Sequence, residues 1–123
     1  MRRVLIVYWM GMFVATHIPK IPRRLQVPVS DKWQHYAAYA LLGWLVACCW
    51  SWGRPVTWQH LLAWMTLLAA YGAIDEITQP LFGREADWLD WRADVVGAAS
   101  GLAIFMLLSR WSSRKGPAVP TDR

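Results

Sequence analysis

The stretch from Trp33 to Trp52 runs for 20 residues without a formally charged side chain. A helix of that length covers about 30 Å, the thickness of the hydrocarbon layer of a bilayer. A chain containing it must wrap it in protein on every side or place it in lipid, and this chain has more such material than it can wrap. A second run, Trp58 to Gln79, is closed by Pro80, and a third begins between Asp87 and Ala93 and ends near Ser109. A shorter one, Val4 to Ile18, lies between Arg2-Arg3 and Pro19. With 56% hydrophobic and 17% charged residues among 123, there is too little polar surface to solubilise four such runs.

The sequence therefore predicts an all-α fold, an integral membrane bundle of four transmembrane helices in a multi-pass protein of the cell membrane. Ten tryptophans support this. Trp33, Trp50, Trp52, Trp58, Trp88, Trp91 and Trp111 lie near the ends of the runs, where an indole keeps its body in the apolar layer and its N–H among the headgroups. A tryptophan-rich soluble core is the alternative that the run lengths disfavour. A signal peptide also opens with basic residues and a short apolar stretch, but Thr16-His17-Ile18-Pro19 is a poor cleavage site, so the first run is read as a span with snorkelling arginines. Residues 1–110 form one domain, and the basic tail 111–123, rich in Gly, Pro and Ser, is expected to be disordered. Cys48 and Cys49 are adjacent within an apolar run and are expected only to pack.

Four spans put both termini on one side and the 20–32 and 80–92 loops on the other. The terminal side then holds Arg2, Arg3, Arg54, Arg110, Arg114, Lys115 and Arg123 with Asp122. The loop side holds Lys20, Arg23, Arg24, Lys32, Arg84 and Arg92 with Asp31, Asp75, Glu76, Glu85, Asp87, Asp90 and Asp94. Basic residues are nearly balanced and lean only slightly toward cytoplasmic termini, but nearly all the acids gather on the loop side. That is where chemistry is expected. The excess positive charge lies in termini and loops beside a membrane, so anionic lipid headgroups are the expected partners and nucleic acid is not.

Three elements carry the loop-side pattern. Asp31-Lys32-x-x-His35-x-x-x-Tyr39 enters the second helix, Asp75-Glu76-x-x-Gln79 leaves the third, and Arg84-x-x-Asp87-x-x-Asp90-x-x-x-Asp94 enters the fourth. Spacings of three and four set each group on one helix face. Carboxylates a turn inside the boundary are costly against lipid, so they must turn inward and find partners, with Glu76–Arg84 and Asp75–Lys32 as candidate pairs. Asp87, Asp90 and Asp94 make either an acidic stripe or, for Asp87, a helix N-cap. His60, on the terminal side, reads as interfacial; His17 ends the first run on the loop side, where it could join His35 but reads more readily as an interfacial residue. Gly97-x-x-x-Gly101 and Ala69-x-x-x-Ala73 suggest that the third and fourth helices pack together, with an oligomer conceivable through Gly97 and Gly101.

In these three elements, in this order and spacing, the chain resembles the VanZ-like family over roughly residues 4 to 109. It departs at Asp94, where the family more often has Asn. The resemblance implies a small integral membrane protein and, through the protein for which the family is named, a link to teicoplanin resistance; it supplies no molecular activity. A non-enzymatic module is expected, binding an envelope component such as a lipid headgroup, a cell-wall precursor or a glycopeptide. No cofactor or metal motif is legible. An enzyme in which the carboxylates and His35 hold a hard divalent ion, or act as acid and base, on a phosphate- or acyl-linked lipid is the alternative, against which stand the missing HExxH, GxSxG and P-loop patterns and the lack of an activated nucleophile, although Thr78 and Ser30 lie nearby. A purely structural or oligomeric membrane protein is the third reading.

Overall fold

The computed structural model describes residues 1–18, 30–51 and 55–114, and among these the protein is all-helical. Helix α1 spans Arg2–His17, α2 Asp31–Trp50, α3 Trp58–Thr78 and α4 Trp88–Arg114. A short 3-10 turn, Gln79–Phe82, continues α3. Pro80 causes that change, because its ring removes an amide donor and clashes with the preceding turn. Gly83, with φ 73°, then reverses the chain, and its missing Cβ is what allows the left-handed backbone there.

α2 begins at Asp31, inside the segment read above as loop, so Asp31 and Lys32 ride on the helix itself. α4 runs past Ser109 to Arg114, four residues into the expected tail; the rest of that tail lies outside the described residues. Two segments, Trp58–Phe82 and Trp88–Ser112, are long and apolar enough to cross a membrane. α1 and α2 fall short of that combination, α1 by length, since 16 residues cover only about 24 Å.

α2 and α4 form the closest pair. A Cβ at Gly97 would strike the carbonyl of Tyr36, one at Gly101 the carbonyl of Ala40, and one at Gly43 would sit 2.7 Å from the carbonyl of Ala98. The small residues of α4 therefore seat α2, while α3 packs on α4 as expected. That second contact includes the Trp91 indole N–H, which donates to the carbonyl of Ala69 at 3.0 Å. α1 leans on both neighbours: the Tyr8 hydroxyl donates to the carbonyl of Ala38, and the Trp9 ring meets Tyr71 edge-on.

Burial is inverted relative to a water-soluble protein. The apolar core is confined to Leu42, Val46, Leu68, Ala98, Leu102 and their neighbours. Val4, Ile6, Val7, Leu62, Ile74, Ile77, Ile104 and Leu107 all face outward, while Asp75 and Asp94 are completely buried. Trp33, Trp50, Trp58, Trp88 and Trp111 are exposed at helix ends, where a headgroup belt places them. His60 is an exposed capping residue, its Nδ1 accepting from the Thr57 amide at 3.2 Å.

Candidate functional site

The loop-side ends of the helices converge on one buried polar cluster. On α2, Lys32, His35 and Tyr39 follow one another at three- and four-residue intervals along the face that meets α4. On α3, Asp75 and Glu76 turn inward in the last turn, and Gln79 follows at the start of the 3-10 segment. Asp87 precedes α4, and Asp90 and Asp94 line its first two turns. All eleven residues singled out in the sequence lie at this end of the bundle.

The layer nearest the surface is ionic. Lys32 Nζ donates to Asp87 Oδ2 and Asp90 Oδ1, both at 2.8 Å. The hydrogen bonds to Asp87 and Asp90 raise the Lys32 ammonium well above the ordinary lysine range. Asp87 immediately precedes α4 and its Oδ1 accepts from the Leu89 amide at 2.8 Å, so it is a helix cap and a lysine partner at once. The Asp87 amide in turn donates to Glu76 Oε2 at 2.8 Å. A carboxylate of α3 thus completes the cap of α4 and fixes the turn between them.

Below this layer, His35 Nδ1 lies 2.9 Å from Asp94 Oδ1, and His35 Nε2 4.0 Å from Asp90 Oδ2. The amide of Gln79 donates to Glu76 Oε1 at 3.2 Å and reaches Asp75 Oδ2 at 3.5 Å, holding the two neighbouring carboxylates together. The hydroxyl of Tyr39 and the second oxygen of Asp94, Oδ2, are buried without a hydrogen-bond partner. A pair of unpaired buried oxygens is costly, and in a native site it calls for an explanation.

The pairings expected from sequence are not the ones formed. Arg84 does not meet Glu76; its Nη1 donates to the carbonyl of Thr16 at 3.0 Å and its Nη2 lies 3.7 Å from Asp31 Oδ2. Lys32 serves the acids of α4 rather than Asp75. Asp75 instead accepts from the Thr16 hydroxyl at 2.9 Å and lies 3.6 Å from His17 Nδ1. His17, read as an unremarkable interfacial residue, is buried, with Nδ1 2.8 Å from the carbonyl of Phe13 and Nε2 2.9 Å from the Thr78 hydroxyl. Thr16 is the site residue that sequence reasoning missed, and His17, set aside there as interfacial, joins the cluster through Asp75 and Thr78 rather than His35. The available signal was a hydroxyl and an imidazole side by side at the loop-side end of an apolar run.

Six carboxylates therefore share this end with Lys32, Arg84 and two histidines. Among the described residues, Lys32 and Arg84 both bind internal acceptors, with Arg84 Nε alone of their polar atoms buried without a partner, so this cluster holds more acceptors than donors.

A helical bundle that turns apolar side chains outward and gathers its acids at one buried end defines a membrane-type protein with a polar centre. The chain belongs to the VanZ/LLP1 family, whose family model matches residues 4–109. That span takes in every residue of the cluster. No curated protein and no solved structure matches the chain.

Proposed function

We propose that the protein is a four-span membrane protein with cytoplasmic termini, whose outer-face polar centre binds a component of the cell envelope through that component's hydrogen-bond donors. The observation that carries this reading is the inversion itself: a continuous polar network ties four helices together at one end of a bundle that is apolar outside. For α1 and α2 as spans, the support is the outward row Val4, Val7, Met10 and Val14 and the exposed Trp33 and Trp50 at the two ends of α2. Arg2 and Arg3 can snorkel to extend the short first helix.

The surplus of acceptors selects among the envelope components expected from sequence. Among the described residues, Lys32 and Arg84 hold internal acceptors, so a bare phosphate meets mainly carboxylates here. An ammonium group, such as a phosphatidylethanolamine headgroup or an amine of a cell-wall precursor or glycopeptide presents, finds carboxylates. Binding of this kind at the outer face is the route by which the protein would contribute to teicoplanin tolerance.

The test compares wild type with Glu76→Ala at matched membrane abundance, in growth against teicoplanin and vancomycin and in the lipids and precursors that copurify. A teicoplanin-selective shift and a bound amine-bearing component, both lost in the variant, are expected. Equal copurification with the variant would refute the binding site, and identical growth of cells with and without the protein would detach it from glycopeptide tolerance.

One contact favours an enzymatic reading. His17 Nε2 stands 2.9 Å from the Thr78 hydroxyl while Asp75 lies 3.6 Å from its other nitrogen, the arrangement in which an imidazole activates a hydroxyl nucleophile. Turnover of an acyl- or phosphate-linked lipid by wild type and its loss in Thr78→Val would establish that reading in place of simple binding.

A further inference from the structure

The innermost layer of the cluster buries acceptor oxygens that its own partners do not all satisfy, and its geometry shows what is suited to fill the place. His35, Glu76 and Asp94 each offer a ligand atom, and these atoms lie within 4.8 Å of one another. All three side chains are buried, and they come from three different helices, so the trio is fixed by the packing of the bundle rather than by a loop.

A second observation points into the same space. Among the described residues, Asp94 Oδ2 and the Tyr39 hydroxyl are, together with the Tyr71 hydroxyl, the buried side-chain oxygens without a hydrogen-bond partner. The first two border Gly72 of α3, where a Cβ would sit 3.3 Å from each. The glycine thus leaves a small gap that two unsatisfied oxygens face, next to an imidazole and a second carboxylate. We infer that His35, Glu76 and Asp94, with the Tyr39 hydroxyl beside them, form a binding site for one divalent transition-metal ion at the centre of the bundle. This inference goes beyond the envelope-binding reading and does not depend on it.

The donor set narrows the ion. Two carboxylates and a phenol oxygen suit a hard cation, and an imidazole nitrogen suits a first-row transition metal, so Mn²⁺ and Zn²⁺ fit both and Mg²⁺ or Ca²⁺ fit only the oxygens. A dication also cancels the charges of Glu76 and Asp94 together. Glu76 is held by the Asp87 amide and by Gln79, the kind of outer contact that fixes a ligating carboxylate. A neighbouring trio, Asp31, His35 and Asp90, also falls within ligand distance, but Lys32 already holds Asp90 at 2.8 Å and Arg84 lies 3.7 Å from Asp31. Among the described residues, no lysine or arginine is paired with Glu76 or Asp94 of the inner trio.

The full chain, purified in detergent and stripped with chelator, is titrated with Mn²⁺ and separately with Zn²⁺, following bound metal by elemental analysis and Mn²⁺ by electron paramagnetic resonance. One ion per chain is expected, with a nitrogen coupling from imidazole in the Mn²⁺ spectrum. Asp94→Asn, which preserves shape, should weaken binding at least about tenfold. Gly72→Ala, which removes no ligand but fills the gap, should weaken it as well, and the exposed Glu85→Gln should not. If a variant fails to fold, the wild-type spectrum still decides, because a folded chain that binds neither metal, or binds Mn²⁺ without nitrogen coupling, overturns the site. Equal affinity in wild type and Asp94→Asn overturns it too, leaving a cluster that exchanges protons only.

Discussion

The two ends of the bundle are built from the same helices and solve opposite problems. Toward the termini, α2, α3 and α4 meet through Leu42, Val46, Leu68 and Leu102, all buried and all apolar. Toward the loops, the same helices meet through His35, Asp75, Glu76 and Asp94, equally buried and ionisable. Lipid supplies little hydrophobic incentive for helices to associate, so the apolar end relies on shape and the polar end on complementary donors and acceptors. Between them, Gly97 and Gly101 bring the backbones of α2 and α4 into contact and set the helix positions that both ends require. The contrast implies that the apolar end tolerates changes that conserve volume, whereas the polar end tolerates almost no change of partner.

The hinge of that comparison is the glycine seam, and disturbing it should have the largest effect. Gly101→Leu places a branched side chain against the carbonyl of Ala40 and the amide of Trp44. Overpacking of a site with no side chain to move costs at least about 3 kcal/mol. The expected outcome is loss of folded protein from the membrane fraction. Normal abundance with a changed oligomeric state would instead mean that the seam faces a second copy.

Next comes the polar end. His35→Ala leaves Asp94 buried without its partner, and breaking a buried pair on one side costs about 3 kcal/mol or more. Thermal unfolding in detergent should show a large drop, partly recovered by the double change His35→Leu/Asp94→Leu, which removes the orphaned charge. No recovery would indicate that the polar groups do more than satisfy each other. For the apolar end the matched change is Leu68→Ala, a completely buried side chain whose loss costs about 2–3 kcal/mol. If it proved costlier than His35→Ala, the order of the two ends would be reversed.

The difference between the ends also explains what could be read without coordinates. Membership of the cluster was legible, because spacings of three and four fix which residues share a helix face whatever the helix packs on. Partner choice was not. It depends on how each helix is rotated and on the path of residues 79–87, where a proline-induced 3-10 turn and Gly83 move Arg84 across to the end of α1. His17 escaped for the same reason: nothing in a lone histidine at the end of an apolar run shows that Asp75 and Thr78 arrive opposite it. The small-residue pattern of α4 revealed a close approach but not which helix makes it. The extent of α1 and α2 was legible to within two residues at each end, while α1 is too short and the polar first turns of α2 leave it too little apolar to match α3 and α4 as candidate spans.

The smallest effect is expected at the outer rim of the polar end, where the side chain of Lys32 is about 43% exposed. Its ammonium bridges Asp87 and Asp90, but water reaches the pair and screens it. Lys32→Met should shift the melting temperature far less than His35→Ala. The pH dependence follows from the raised lysine pKa. A group whose pKa rises on folding contributes in full below its unfolded value and loses that contribution only as pH climbs through the folded value, which here lies above the ordinary lysine range. Wild type and Lys32→Met should therefore melt along parallel curves between about pH 6 and pH 9. If the curves diverged within that window, the bridge would be coupled to the histidine layer beneath it through Asp90, and the rim would then act as part of the buried centre.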